Sequence, residues 1–105
     1  MARAPLVFSV PLLATGTVAS IPFYGSAQLF RTAGSLRALT TGPVTVEIRQ
    51  TGVLIDTLQW NAGGRLNHVI DPYIVFDEGD FLQINVIDLG VGAVDCVITL
   101  WLDAT

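Results

Sequence analysis

The chain contains no lysine and has little charge of either sign. Charged residues make up 13% of its 105 residues, about half of the roughly 25% usual for soluble domains. The net charge is −4, whereas binding to nucleic acid needs clustered Lys or Arg to neutralise phosphates. We therefore expect no nucleic-acid partner. A surface this poor in charge also suggests that much of it is covered by other protein.

The chain has one cysteine and no long unbroken apolar run. The single cysteine, Cys96, excludes an internal disulfide framework. No charged residue occurs from Ala4 to Phe30, a stretch long enough for a membrane-spanning helix. Prolines and glycines interrupt it, so we expect no membrane partner. Residues 1–14 have the pattern of a short signal peptide, but we favour an uncharged, ordered N-terminal arm.

Helical periodicity is almost absent, while alternating apolar and polar residues recur between turn clusters every 8 to 12 residues. This spacing is typical of an all-β sandwich or barrel. We predict an all-β fold with one antiparallel β-sandwich, jelly-roll-like, of about eight short strands. The single domain would span 1–105, with 1–30 as the N-terminal arm and first strands and 31–105 as the sandwich body. The predicted strands are 6–13, 17–24, 35–39, 44–50, 53–60, 66–70, 81–88 and 94–103.

The strand over 44–50 shows the alternation clearly. Val44, Val46 and Ile48 point to one side, which we expect to be the core. Glu47 and Arg49 point to the other side. They are interpreted as a solvated face, with an intersubunit ion pair as the alternative.

The last two predicted strands are interpreted as a β-hairpin closed by the five-residue loop 89–93. That loop length pairs Val86 with Cys96, so that the apolar residues of both strands share one face. The same register places Phe81 opposite Trp101 and Asn85 opposite Val97, on the face away from the core. An aromatic pair in that position suggests a subunit contact, although a loop or the N-terminal arm of the same chain could cover it instead.

From these positions and from the uncharged N-terminal arm we predict an interface with other protein. The apolar loop tip at Leu89 and Val91 adds to it, since a free tip is normally polar. The candidate interface residues are Phe81, Val97, Trp101, Leu89, Val91, Leu6 and Phe8.

Residues suited to catalysis or metal binding are few. His68 is the only histidine, and nothing in the sequence places a nucleophile and a carboxylate beside it, so we interpret it as structural. Cys96 belongs to the inward set of the last predicted strand and is interpreted as a small buried side chain. The acidic segment 77–80 favours a turn, with a bound cation as the alternative. We predict no enzyme, no cofactor and no metal site.

Two segments resemble a known group of proteins. One runs from Gly79-Asp80-Phe81 through Gly90 and Gly92-Ala93 to the strand 94–102. The other combines Ser35-Leu36-Arg37-Ala38-Leu39 with the strand after Gly42-Pro43. Together they are similar to small β-sandwich virion proteins of tailed bacteriophages, although the Asn-Gly turn of that group is Thr51-Gly52 here.

The resemblance implies a capsid decoration or cement protein, or a head-fibre, tail-fibre or baseplate module. It also implies a virion location, a homo-oligomer that is commonly a trimer, and partners among the major capsid protein or tail proteins. None of these is an enzyme. The alternative function is a carbohydrate-binding module, in which Trp60 with Asn61, Tyr24 and Tyr73 would form the aromatic platform.

Overall fold

The computed structural model describes residues 3–11, 15–36, 43–61, 64–90 and 95–104, with backbone only for 3–11, 95 and 104. These residues form eight β-strands and no helix. In chain order they are β1 Arg3–Pro11, β2 Gly16–Pro22, β3 Ala27–Leu36, β4 Val44–Gln50, β5 Val53–Trp60, β6 Gly64–Phe76, β7 Phe81–Asp88 and β8 Asp95–Ala104.

The strands form two four-stranded antiparallel sheets that face each other. The first has the order β1-β8-β3-β6 and is called here the β1 sheet. The second has the order β2-β7-β4-β5 and is called the β2 sheet. Each strand lies in the opposite sheet from the strand before it in the chain, except β5, which follows β4 within the β2 sheet. This alternating order is that of a jelly roll, so the predicted all-β sandwich is confirmed.

The predicted strand bounds agree with the structure in some places and not in others. Strands β4, β5 and β7 have the predicted bounds. Strands β3 and β6 are much longer than predicted, while residues 37–39 of the predicted third strand lie outside the described part of the chain. The stretch interpreted as an arm supplies β1 and β2, which are edge strands of the two sheets.

The predicted hairpin of the last two strands is wrong. Strand β7 pairs with β2 and β4, whereas β8 pairs with β1 and β3. The two strands therefore lie in opposite sheets. Their apolar residues do point into the same core, as expected, because Val86 and Cys96 are both buried. The inward pattern was correct, but alternation alone does not say from which sheet a side chain reaches the core.

The core fills the space between the sheets. Val44, Val46 and Ile48 are buried as predicted. Trp60 at the end of β5 is only 2% exposed and packs across the sandwich against Gly34 of β3. A Cβ atom at Gly34 would lie 2.4 Å from the Trp60 ring, closer than any real contact. Glycine at position 34 thus leaves the space that the indole occupies.

Strands β4 and β5 are joined by a two-residue turn at Thr51-Gly52. Both residues have positive φ, 47° and 87°, as in the type I′ turn that suits the twist of a hairpin. Threonine rarely adopts a positive φ. Here its N–H donates to the Phe81 carbonyl at 2.8 Å, and its hydroxyl donates to Asp80 at 3.2 Å. Hydrogen bonds to the neighbouring turn at the start of β7 therefore hold Thr51 in its positive-φ conformation.

Among the described residues no helix has the length and apolar character needed to cross a membrane.

Candidate functional site

The outer face of the β1 sheet brings together three rows of side chains from β8, β3 and β6. The register pairs Ser35 with Val97 and Arg65, and Ala33 with Thr99 and Asn67. The third row is formed by Trp101, Arg31 and Val69. Because alternate residues of a strand share a face, all of these side chains point away from the core.

These rows surround a shallow depression with a volume of about 280 Å³. Small residues of β3 form its floor, and larger side chains stand at its rim. Its lining residues are Ala33, Gly34, Ser35, Arg65, Leu66, Asn67, Val97, Thr99 and Trp101. The shape follows from the sequence, since β3 carries Ala33, Gly34 and Ser35 in the middle of the sheet.

Trp101 forms one end of the depression and is half-buried. The guanidinium carbon of Arg31 lies 5.7 Å from the centre of its ring, within the range of a cation–π contact. Arg31 is the direct cross-strand neighbour of Trp101. The contact holds the indole in place at the edge of the depression.

Four polar side chains around the depression form no hydrogen bond or ion pair within the described part of the chain. They come from three strands and are Ser35, Arg65, Asn67 and Thr99. Arg65 is the only charged group in the lining. The depression therefore offers hydroxyl, amide and guanidinium groups to a ligand from outside the described residues.

On the outer face of the β2 sheet several polar side chains bind one another, whereas the buried Asn85 Oδ1 has no hydrogen-bond partner among the described residues. Arg49 donates to Glu47 through two nitrogens, at 2.7 and 3.0 Å. Gln59 donates to Thr45 at 3.1 Å. The Glu47–Arg49 ion pair is thus made within one strand, which leaves both groups already partnered without a neighbouring subunit.

A second polar cluster lies at the open side of the sandwich, where β5 of one sheet meets β3 and β6 of the other. The Thr32 hydroxyl donates to Asp56, and the His68 Nδ1 lies 3.1 Å from both Asp56 carboxylate oxygens. The carboxylate stands between the hydroxyl and the imidazole. Thr32, the direct cross-strand neighbour of His68, is fully buried, so this arrangement ties the two sheets together.

The acidic segment 77–80 forms the turn that was predicted for it. The Asp80 carboxylate accepts the Asp77 N–H at 2.8 Å and the amide of Gln50 at 3.2 Å. The first of these bonds is the main reason that the pKa of Asp80 lies below its ordinary value. Among the described residues no group of three His, Cys, Asp or Glu side chains is placed to hold a metal ion.

The predicted interface residues do not form one patch. Phe81 is exposed on the β2 sheet, whereas Val97 and Trp101 lie on the outer face of the β1 sheet. The predicted pairing of Phe81 with Trp101 is therefore wrong, for the reason given above for the hairpin. Trp101 pairs instead with Pro5 and Arg31.

The remaining interface candidates are only partly described. Leu89 is partly buried and packs against the core, so it is not a free loop tip. Leu6 and Phe8 lie in β1, where their backbones pair with Leu100 and Ile98. Val91 lies outside the described residues.

The aromatic residues proposed for sugar binding differ in exposure. Trp60 is buried in the core, so it cannot form a platform with Asn61. Tyr24, in the turn after β2, and Tyr73, on β6, are both exposed. The depression at Trp101 was missed because its residues are distant in sequence, and because β3 shows little apolar alternation.

Comparison with known proteins adds little to this description. No protein-family model matches the chain, and no curated protein matches it. Among solved structures it is similar to the CBM36-1 domain of a multidomain xylanase from the hindgut metagenome of Trinervitermes trinervoides. The identity is 12% and the TM-score 0.43, over 95% of this chain and 98% of that one. A similarity this low carries no argument about function.

Proposed function

We propose that the chain is a non-enzymatic structural protein of a tailed-phage virion, which decorates or cements the capsid by contacts with other virion proteins and with its own copies. The observation that carries the proposal is a strip of exposed apolar side chains on β6. Val69 is 68% exposed, Tyr73 is 53% exposed, and Val75 is also exposed. These three residues are called here the β6 ridge.

The position of the β6 ridge suits contact with a partner. Strand β6 is an edge strand that pairs only with β3. Between the Leu29–Ile74 and Arg31–Val69 pairs the register shifts, so that residues 70–73 of β6 lie opposite Phe30 alone. A bulge of this kind, with a proline at position 72, hinders the addition of another strand. A partner is therefore expected to pack on the side chains and not to extend the sheet.

The energy available from the β6 ridge is consistent with assembly in many copies. Full burial of one large apolar side chain stabilises by roughly 1.5–3 kcal/mol. Three such residues offer a modest gross gain, and association entropy and side-chain ordering oppose it. A single contact would be weak, so a stable coat needs several contacts per subunit.

The fold and the sequence resemblance support the virion as the setting. Jelly rolls are common in viral capsid proteins and also in lectin domains, so the fold alone does not decide between these uses. The bacteriophage group that the sequence resembles is commonly trimeric. We therefore propose a homotrimer whose partners are the major capsid protein or tail proteins.

The assembly can be tested by measuring the molar mass in solution by light scattering for the natural chain and two matched variants. Val69→Lys places a charge on the β6 ridge. Val18→Lys places the same charge at a residue that is 40% exposed on β2, an edge strand of the other sheet. We expect the natural chain and Val18→Lys to be oligomeric and Val69→Lys to dissociate.

A monodisperse monomer for the natural chain would contradict self-association. If both variants have the same molar mass, the β6 ridge is not part of the contact between copies. The virion setting has its own test. The chain should co-purify with phage particles through a density gradient, in a fixed ratio to the major capsid protein. Its absence from the particles would overturn that part of the proposal.

A further inference from the structure

The depression on the outer face of the β1 sheet contains groups that the assembly proposal does not use. We propose that it binds a short acidic saccharide. Trp101 would stack on a sugar ring, Arg65 would bind a carboxylate, and the three neutral polar groups, Ser35, Asn67 and Thr99, would bind hydroxyls. The inference does not depend on the proposed virion function: the β6 ridge is not part of the lining, although its Val69 lies at the end of the same three-strand array, beside Arg31.

The first support is the unused hydrogen-bonding capacity around the depression. On the outer face of the β2 sheet, Glu47 and Arg49 bind each other, as do Thr45 and Gln59. Around the depression the polar side chains of the described residues have no such partners. A few convergent polar groups beside an aromatic side chain are the usual composition of a small-ligand site.

The second support is charge. The chain has a net charge of −4, yet the described residues that line the depression include the Arg65 guanidinium and no carboxylate. A guanidinium binds a carboxylate through two parallel N–H donors. A single lining arginine is too little for a nucleic acid, which requires several phosphate contacts. A small ligand with a neutral framework and one or a few carboxylates fits this arrangement better than a nucleic acid does.

The third support is size. Arg65 and Trp101 lie at diagonal corners of the three-strand array. With strands about 4.8 Å apart and a rise of about 3.3 Å per residue, the corners are separated by about 10 Å across the strands and about 13 Å along them. The volume of about 280 Å³ is just below the range usual for small-ligand sites. A saccharide of three rings spans this diagonal of about 16 Å and remains largely in solvent.

The proposal can be tested by NMR titration of the natural chain with trigalacturonate and with galactotriose. The two probes share their ring stereochemistry and differ in the carboxylates. The indole N–H signal of Trp101 reports on the depression, and the backbone N–H signal of Tyr24, which lies outside the lining residues, serves as an internal reference. We expect the Trp101 signal to shift at millimolar trigalacturonate, and the neutral probe to bind about fivefold more weakly.

Three variants sharpen the test. Arg65→Gln should remove the preference for the acidic probe and retain weak binding of both. Trp101→Ala should weaken both probes by about fivefold or more, and Trp101→Phe, which keeps an aromatic ring, should recover part of the loss. Tyr24→Ala is the control, because Tyr24 is 85% exposed and lies outside the lining residues.

The proposal is overturned if millimolar trigalacturonate leaves the Trp101 signal unchanged in the folded natural chain. It is equally overturned if Tyr24→Ala weakens binding as much as Trp101→Ala does, or if galactotriose binds as well as trigalacturonate. The assembly proposal is judged by the molar mass and by particle purification, so either proposal can fail without the other.

Discussion

The two outer faces of the sandwich are built on the same scaffold and differ in how their side chains are partnered. On the β2 sheet, Glu47 binds Arg49 and Thr45 binds Gln59. On the β1 sheet, Arg65 and Asn67 have no such partner within the described residues. A face whose polar groups bind one another has less to gain from a ligand than a face whose groups are unpaired. The difference is why we place the proposed ligand on the β1 sheet, although the buried amide oxygen of Asn85 on the β2 sheet also has no partner among the described residues.

The largest expected effect compares the two tryptophans, one beneath the β1 sheet and one on its outer face. Trp60→Ala should lower the free energy of unfolding by about 3–5 kcal/mol, because it leaves a cavity in the core. Trp101→Ala should cost about 1 kcal/mol, because the side chain is half-exposed and substitutions away from the core have small effects. Urea denaturation measures both changes in unfolding free energy, provided that the dependence of that free energy on urea concentration is the same for each variant as for the natural chain. Similar losses would mean that the outer face is packed as tightly as the core.

A smaller effect is expected for the arginines of the two faces. Arg49→Ala breaks the Glu47 ion pair, which is partly exposed, and should cost about 0.5–1 kcal/mol. Arg65→Ala should change the stability by no more than about 0.5 kcal/mol, because Arg65 has no partner in the described chain. Raising the salt concentration should reduce the stability loss of Arg49→Ala and leave that of Arg65→Ala unchanged. A stability loss for Arg65→Ala as large as that for Arg49→Ala would contradict the distinction between the faces.

The smallest effect concerns the turn at Asp80, whose pKa is lowered mainly by the hydrogen bond from the Asp77 N–H. A lowered pKa means that the ionised carboxylate stabilises the fold above the pKa of the unfolded chain. This contribution is lost as the pH falls through the lower pKa of the folded state. Asp80→Asn should therefore be less stable than the natural chain at neutral pH and equal to it in acid. A difference that persists unchanged in acid, measured by thermal unfolding, would exclude the carboxylate charge as its source.

Much of the fold can be predicted from alternation and turn residues, and the exceptions have physical causes. Strand β4 alternates without interruption, and its bounds were predicted correctly. Strand β3 was mostly missed because the extra residue Phe30 shifts its register, and because two inward positions hold Thr32 and Gly34. Strand β6 was predicted too short because Asp71-Pro72 is a typical turn sequence, whereas at this sheet edge the strand continues through it as a bulge.

The candidate site was far less predictable than the fold. Its lining comes from β3, β6 and β8, which are adjacent in space and distant in sequence. Alternation identifies which residues of β8 face outward, but it does not say that β8 lies beside β3 and not beside β7. Which strands β8 pairs with depends on how the two sheets pack against each other. The prediction of Trp101 as an outward residue was therefore correct, while its neighbours were not.

The close approach of Gly34 and Trp60 has a consequence for how this sequence can vary among related chains. Position 34 is part of the floor of the depression on one side and contacts a core indole on the other. A larger residue at 34 requires a smaller one at 60, so the two positions should covary across homologues. In such chains a side chain from β3 would fill the space that the indole from β5 fills here, and the outer face would keep its shape because the Cβ at position 34 points into the core.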